Sequence, residues 1–132
     1  MSNRAATVSQ EEAPSSVLVV EDDFLVRAIA VAHLKDSGFS TVEAQTADEA
    51  MVILRDNRSI AAVFSDVQMP GSMDGIALAR WLAHACPNVM VLLTSGRMDP
   101  DMSAGWRFIA KPYSLEEMER ELRNILASRP ES

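Results

Sequence analysis

The chain has 132 residues, 48% of them apolar and 23% charged, enough for one compact domain with a real core and too few for two ordinary ones. A net charge of −7 with no basic stripe excludes a broad nucleic-acid footprint or an anionic membrane surface, and no apolar run approaches the ~20 residues of a membrane span. The single Cys86 forms no internal disulfide, His33 and His84 fall in separate helical stretches with no zinc-like spacing, and no signal-peptide core is present, so the cytoplasm is the expected compartment.

Residues 1–16 are polar and read as a disordered leader, followed by one domain over 17–128 and a short tail over 129–132. Val17 to Val20 is a short apolar, β-branched run of the kind a buried parallel strand shows, and it ends at Glu21, Asp22 and Asp23. Phe24 to Ser37 has helical spacing and is stopped by Gly38. Thr41 to Ala44 predicts a second strand. Thr46 to Glu49 is a capping-box signature that opens a helix to about Asn57.

Ile60 to Phe64 predicts the third strand, 71–75 a loop, and Ile76 to Ala85 a helix that Pro87 ends. Val89 to Leu93 predicts a fourth strand leading into Thr94, and Arg107 to Ala110 a fifth. Ser114 to Glu117 is a second capping box, and Leu115, Met118, Leu122, Ile125 and Leu126 then form a stripe at helical spacing. This alternation of strands and helices predicts an α/β fold: a doubly wound five-stranded parallel sheet with helices on both faces.

In such sheets ligands bind outside the carboxyl ends of the strands. The residues at those ends are Glu21, Asp22 and Asp23, then Asp66, Thr94 and Lys111. Seen alone, an acidic triplet is a solvated loop and Asp66 a turn former; it is their convergence on one rim that carries chemistry. Carboxylates about 4 Å apart repel by roughly 4 kcal/mol at an effective dielectric near 20, so the cluster calls for a cation. An all-oxygen donor set suits Mg²⁺. Lys111 and the Thr94 hydroxyl could hold phosphoryl oxygens, and the set fits phosphoryl transfer to Asp66.

The motifs VLVVEDD (17–23), FSDVQMP (64–70) followed by MDG (73–75), LLTSG (92–96) and FIAKPY (108–113) stand in order, with 44 positions from Asp22 to Asp66. Together they resemble the receiver domain of bacterial two-component response regulators, over about Val17 to Ser128. The resemblance implies a flavodoxin-like (βα)5 receiver fold, with Asp66 as phosphoacceptor. It implies a Mg²⁺ site of Asp22, Asp66, Glu21 acting through water, and the Gln68 carbonyl. Thr94 becomes the phosphate-sensing hydroxyl, Lys111 the phosphate-binding cation, and Phe108 the aromatic that follows Thr94; a cis bond is implied at Pro112.

The implied phosphoryl donor is a sensor histidine kinase or a histidine phosphotransfer protein. The implied output is contact with a protein target, by a monomer or weak homodimer that touches neither nucleic acid nor membrane. The domain is expected to be regulatory rather than an enzyme, catalysing only its own phosphorylation and dephosphorylation. Two other classes compete: an inactive receiver-like interaction module, and an aspartyl-phosphate hydrolase of another fold, which would need a DxD after the first strand.

The sequence departs from the family pattern in two places. The loop over 71–75 is one residue longer than the commonest form. Only sixteen residues separate Thr94 from Lys111, and 97–105 contains Pro100 with little apolar periodicity. A shortened or irregular fourth helix, mobile and able to change order on phosphorylation, is the expectation there.

Overall fold

The computed structural model of the protein describes residues 16–71, 73–97 and 105–129. Five strands are present: β1 (Ser16–Val20), β2 (Ser40–Ala44), β3 (Ile60–Asp66), β4 (Met90–Ser95) and β5 (Arg107–Ala110). They form one sheet in the order β2-β1-β3-β4-β5, with every adjacent pair parallel. The four helices among the described residues are α1 (Phe24–Asp36), α2 (Ala47–Asp56), α3 (Gly75–Ala85) and α4 (Leu115–Ala127).

The expected doubly wound architecture is therefore present, built on the two-residue period of the strands. Val17 and Val19 of β1 join Ala62, Phe64, Leu92 and Ile109 on one face, against Ala30, Val31 and Leu34 of α1 and Met118, Leu122 and Ile125 of α4. Leu18 and Val20 point the other way, to Val63, to Ala47, Ala50 and Leu54 of α2, and to Leu78 and Leu82 of α3. Ile60 shares that second face with Val63, although a three-residue separation would put them on opposite faces of a regular strand. The register explains this, since Ser16 pairs with Ile60 but Val17 pairs with Ala62, one extra residue being inserted at the start of β3.

Side-chain caps fix the helix starts and hence the turns that follow the strands. Asp23 accepts from the N–H groups of Leu25 and Val26, Thr46 from Glu49, Asp74 from Ala77 and Ser114 from Glu117. Glu49 in turn accepts from the N–H of Gln45, the residue before the N-cap, at 2.7 Å, so its carboxylate also closes the start of the helix. Gly38 takes φ +98° just past the end of α1, a conformation that residues with a Cβ rarely adopt.

Several boundaries differ from the sequence expectation by one or two residues. Ser16 belongs to β1, pairing with Ser40. Asp66 and Thr94 lie inside the ends of β3 and β4, where they pair with each other, and not beyond them. Polar residues can close these strands because the ladder needs only backbone groups and the rim is where the sheet meets solvent. The leader (1–15) and most of the expected irregular helix (98–104) lie outside the described residues. No helix among the described residues is long and apolar enough to cross a membrane.

Candidate functional site

Backbone bonds set the rim at which the acidic residues meet. Val67 donates its N–H to the Thr94 carbonyl at 2.9 Å, Lys111 to the Ser95 carbonyl at 2.9 Å, and Glu21 to the Ala44 carbonyl at 3.1 Å. Each bond extends a ladder one step past the strand, so Glu21, Asp66, Thr94 and Lys111 stand side by side at neighbouring strand ends. The loop after β3 is locked by glycine. A Cβ on Gly75 would sit 2.3 Å from the Asp66 carbonyl oxygen and 2.9 Å from the Val67 Cα, and the Gly75 N–H donates to the Val67 carbonyl at 2.9 Å. Only a residue without a side chain permits that approach.

Glu21, Asp22 and Asp66 each bring a carboxylate oxygen within 4.8 Å of the others. Glu21 and Asp66 are buried, whereas Asp22 is exposed. The Lys111 ammonium lies 2.7 Å from Asp66 Oδ2 and 3.9 Å from Glu21 Oε1. Asp66 Oδ1 accepts from the Gln68 N–H at 3.2 Å, and Glu21 Oε2 from the Asp23 N–H at 3.1 Å.

At these separations each carboxylate pair costs roughly 3–4 kcal/mol at an effective dielectric near 20. With all groups ionised, three carboxylates and one lysine leave two negative charges, which a single divalent cation neutralises. Burial raises the Glu21 pKa, and the Asp66 charge and an Asp22 hydrogen bond raise it further; the Asp23 N–H and Lys111 oppose them without prevailing. Burial pulls the Lys111 pKa down, yet the hydrogen bond and charge of Asp66, with Glu21 and Asp22 adding, leave it raised. A site whose acid resists ionisation because it is buried and also crowded by other acids fits a hard cation with oxygen ligands.

Thr94 is 2% exposed, and its hydroxyl has no hydrogen-bond partner among the described residues. An orphaned buried donor beside a carboxylate site is unusual, and it fits an oxyanion that is bound for only part of the time. Phe108 stands next to Leu93 across the β4–β5 pair and packs with Val67, Ala79 and Leu93. The small void beneath the carboxylates has other walls, among them Val26, Phe64, Thr94 and Tyr113. The Lys111–Pro112 peptide bond is cis.

Several residues at this site escape sequence reasoning. Asp23, the third acid of the triplet, is the N-cap of α1. Arg27 is 6% exposed, its Nη1 donating to the Glu21 carbonyl at 2.7 Å and its Nε to Glu43 at 3.0 Å, so a buried cation braces the strand end that carries Glu21. Tyr113 meets Phe64 edge-on at 5.5 Å between ring centres. Burial, then the charges of Glu21 and Asp66, push its phenol pKa up to about 12. Ser95 donates to Gln68 Oε1 at 3.1 Å and to the Arg97 carbonyl at 2.6 Å, which ties the β3 loop to the start of the next connection. The aromatic after FIAKP is the one sequence signal for any of these, and it shows only in company with the acids.

Comparison with known proteins bears on the fold and the family. Residues 17–123 match the family described as response regulator receiver domain. The chain is 31% identical over 119 residues to the sensor kinase CckA of Brucella abortus, an alignment spanning 85% of this chain and 12% of that protein. It is 32% identical to the response regulator MprA of a Mycobacterium species, over 86% of this chain and 51% of that one. Among solved structures, the signal receiver domain of a signal transduction histidine kinase from Syntrophus aciditrophicus superposes with a TM-score of 0.78 at 29% identity, covering 89% of this chain and 96% of that one. The chain spans about an eighth of the length of the CckA relative and about half of the MprA relative.

Proposed function

The chain belongs to the response regulator receiver domain family, and from that premise we propose that Asp66 accepts a phosphoryl group in a Mg²⁺-dependent reaction. The observation that carries this reading is the meeting of three carboxylates within 4.8 Å with a lysine 2.7 Å from one of them. Asp66 is the buried member nearest Lys111, whose ammonium holds its Oδ2 at 2.7 Å. That oxygen attacks the phosphorus, the bond from phosphorus to the donor's leaving atom breaks, and an acyl phosphate forms on Asp66. The donor is the phosphohistidine of a sensor histidine kinase or phosphotransfer protein, whose imidazole leaves.

Glu21, Asp22, Asp66 and the Gln68 carbonyl would hold Mg²⁺, which when bound offsets the acids' charge and that of the phosphoryl oxygens. Lys111 moves its ammonium from the carboxylate to a phosphoryl oxygen, and the Thr94 hydroxyl finds there the acceptor it otherwise lacks. Drawing Thr94 toward the rim vacates space beside Phe108, and a protein partner reads the rearranged surface. The domain is regulatory and acts within the cytoplasm.

Intact-mass spectrometry after incubation with acetyl phosphate and Mg²⁺ tests the assignment. One added phosphoryl group is expected, lost with Asp66→Asn and without Mg²⁺. Equal labelling of the variant overturns it.

A further inference from the structure

A wide cleft lies at the other end of the sheet, where β3 and β4 begin. Its volume is about 630 Å³, within the roughly 300–1,000 Å³ of small-molecule sites. Ile60 and Val89 contribute its apolar floor and Trp81 one wall, and Arg55, Arg58 and Arg129 line it. No carboxylate of the described residues lines it, although the chain carries a net charge of −7.

The arginines are arranged in different ways. Arg55 lies over the Trp81 ring, its guanidinium carbon 5.6 Å from the ring centre. Arg129 is anchored through Nε to the Asn88 carbonyl at 2.7 Å. Arg58 is exposed and has no hydrogen bond among the described residues. Helix polarity accounts for part of this charge. The helices α2, α3 and α4 all end near this rim, and each carboxyl end carries roughly half a negative charge. Three full positive charges exceed that by roughly one and a half.

We propose that this cleft is a second ligand site that takes a small planar phosphomonoester of the nucleoside monophosphate class. A phosphomonoester carries about −1.5 to −2 charges near neutral pH, which matches the excess, and guanidinium groups bind its oxygens in pairs. The base stacks on the exposed guanidinium of Arg55, which itself lies over the Trp81 ring, with the apolar floor beside it. A carboxylate, with one charge, leaves part of the excess unmatched. The site is separate from Asp66: six residue steps of β3 separate Ile60 from Asp66, roughly 20 Å of strand.

The indole N–H resonances of Trp81 and Trp106 report on binding, and a Trp106→Phe variant assigns them. Guanosine 5′-monophosphate titrated into the full chain should shift the Trp81 signal saturably. Guanosine alone and inorganic phosphate alone should each bind at least tenfold more weakly. Arg58→Glu, an exposed substitution, should weaken the nucleotide at least tenfold while the circular dichroism spectrum and phosphorylation of Asp66 stay unchanged. No saturable shift, equal shifts with guanosine, or unaltered binding by Arg58→Glu would each overturn the proposal.

Discussion

The two ends of the one sheet are built in opposite ways. At the carboxyl end, backbone ladders, a glycine contact, a buried arginine and a lysine converge on three carboxylates, and almost every polar group is held by another. At the amino end, β3 and β4 open onto a cleft whose charged groups are arginines, of which only Arg129 makes a hydrogen bond among the described residues. The same strands run between them. The difference teaches that in this fold the acidic rim is a constructed geometry, sensitive to small displacements, whereas the basic rim is a surface whose residues are replaceable without strain.

Gly75 offers the hardest blow to that contrast. An alanine there must push against the backbone of Asp66 and Val67, which has no flexible end to yield. Gly75→Ala should therefore lower stability by about 2 kcal/mol or more and slow phosphorylation with it. Arg58→Ala at the open rim should stay within about 0.5 kcal/mol of the parent, as exposed substitutions do. Chemical denaturation of both variants checks this, and equal losses would erase the distinction between the rims.

The second comparison lies within the acidic triplet. Asp22 joins the carboxylate cluster, while Asp23 caps α1. Asp22→Asn should weaken Mg²⁺ binding at least tenfold, about 1.4 kcal/mol, with little change in stability. Asp23→Ala should do the reverse, costing about 1 kcal/mol of stability and leaving Mg²⁺ affinity within a few-fold. A Mg²⁺ titration followed by NMR, paired with thermal melts, separates the two. Should Asp23→Ala be the variant that loses the metal, the carboxylate roles are exchanged.

Why residue patterns locate the triplet while only the family resemblance divides it, with Asp22 and Glu21 in the metal site and Asp23 outside it, is a matter of physics. Buried parallel strands are apolar on both faces, so Val17 to Val20 and Ile60 to Phe64 announce themselves, and topology then collects their polar ends on one rim. The cluster of Glu21, Asp22 and Asp66 follows from that. Which of three consecutive acids turns inward depends on where α1 starts, and a capping Asp looks like any other Asp in sequence. The extra residue at the start of β3 is equally silent, because Ile60, Ala61 and Ala62 are all apolar and any register would bury them. Arg27 and Tyr113 depend on contacts between one element and another, with Glu21 and Glu43 for the first and Phe64 for the second, and helical or strand periodicity says nothing of those.

Thr94 gives a smaller effect with an unusual sign. Its buried hydroxyl lacks a partner among the described residues, and an unsatisfied buried donor costs about 1–3 kcal/mol against an apolar group of the same shape. Thr94→Val should thus leave the unphosphorylated domain as stable as the parent, or up to about 1 kcal/mol more stable. It should also blunt the spectral change that beryllofluoride, a phosphoryl mimic, induces. A clear loss of stability would mean that the hydroxyl is already satisfied, and the switch would then need another origin.

The smallest expected effect is also the most selective, because the chain has a single tyrosine. Burial and the negative charges of Glu21 and Asp66 push the Tyr113 phenol to about 12 from its ordinary 10.0. A raised folded-state value means that folding favours the neutral phenol. Its contribution to stability is therefore full below pH 10 and is lost as pH climbs toward 12. An ultraviolet titration of tyrosinate reads the value without interference from other residues of its kind. Asp66→Asn removes one of the charges that raise it, so the midpoint should fall. Arg58→Ala, at the far end of the sheet, should leave it where it is, since exposed charges beyond about 10 Å are largely screened at ordinary salt. A Tyr113 midpoint that answers to the amino rim as strongly as to Asp66 would mean that the two ends are not electrostatically separate, and the contrast between them would fail.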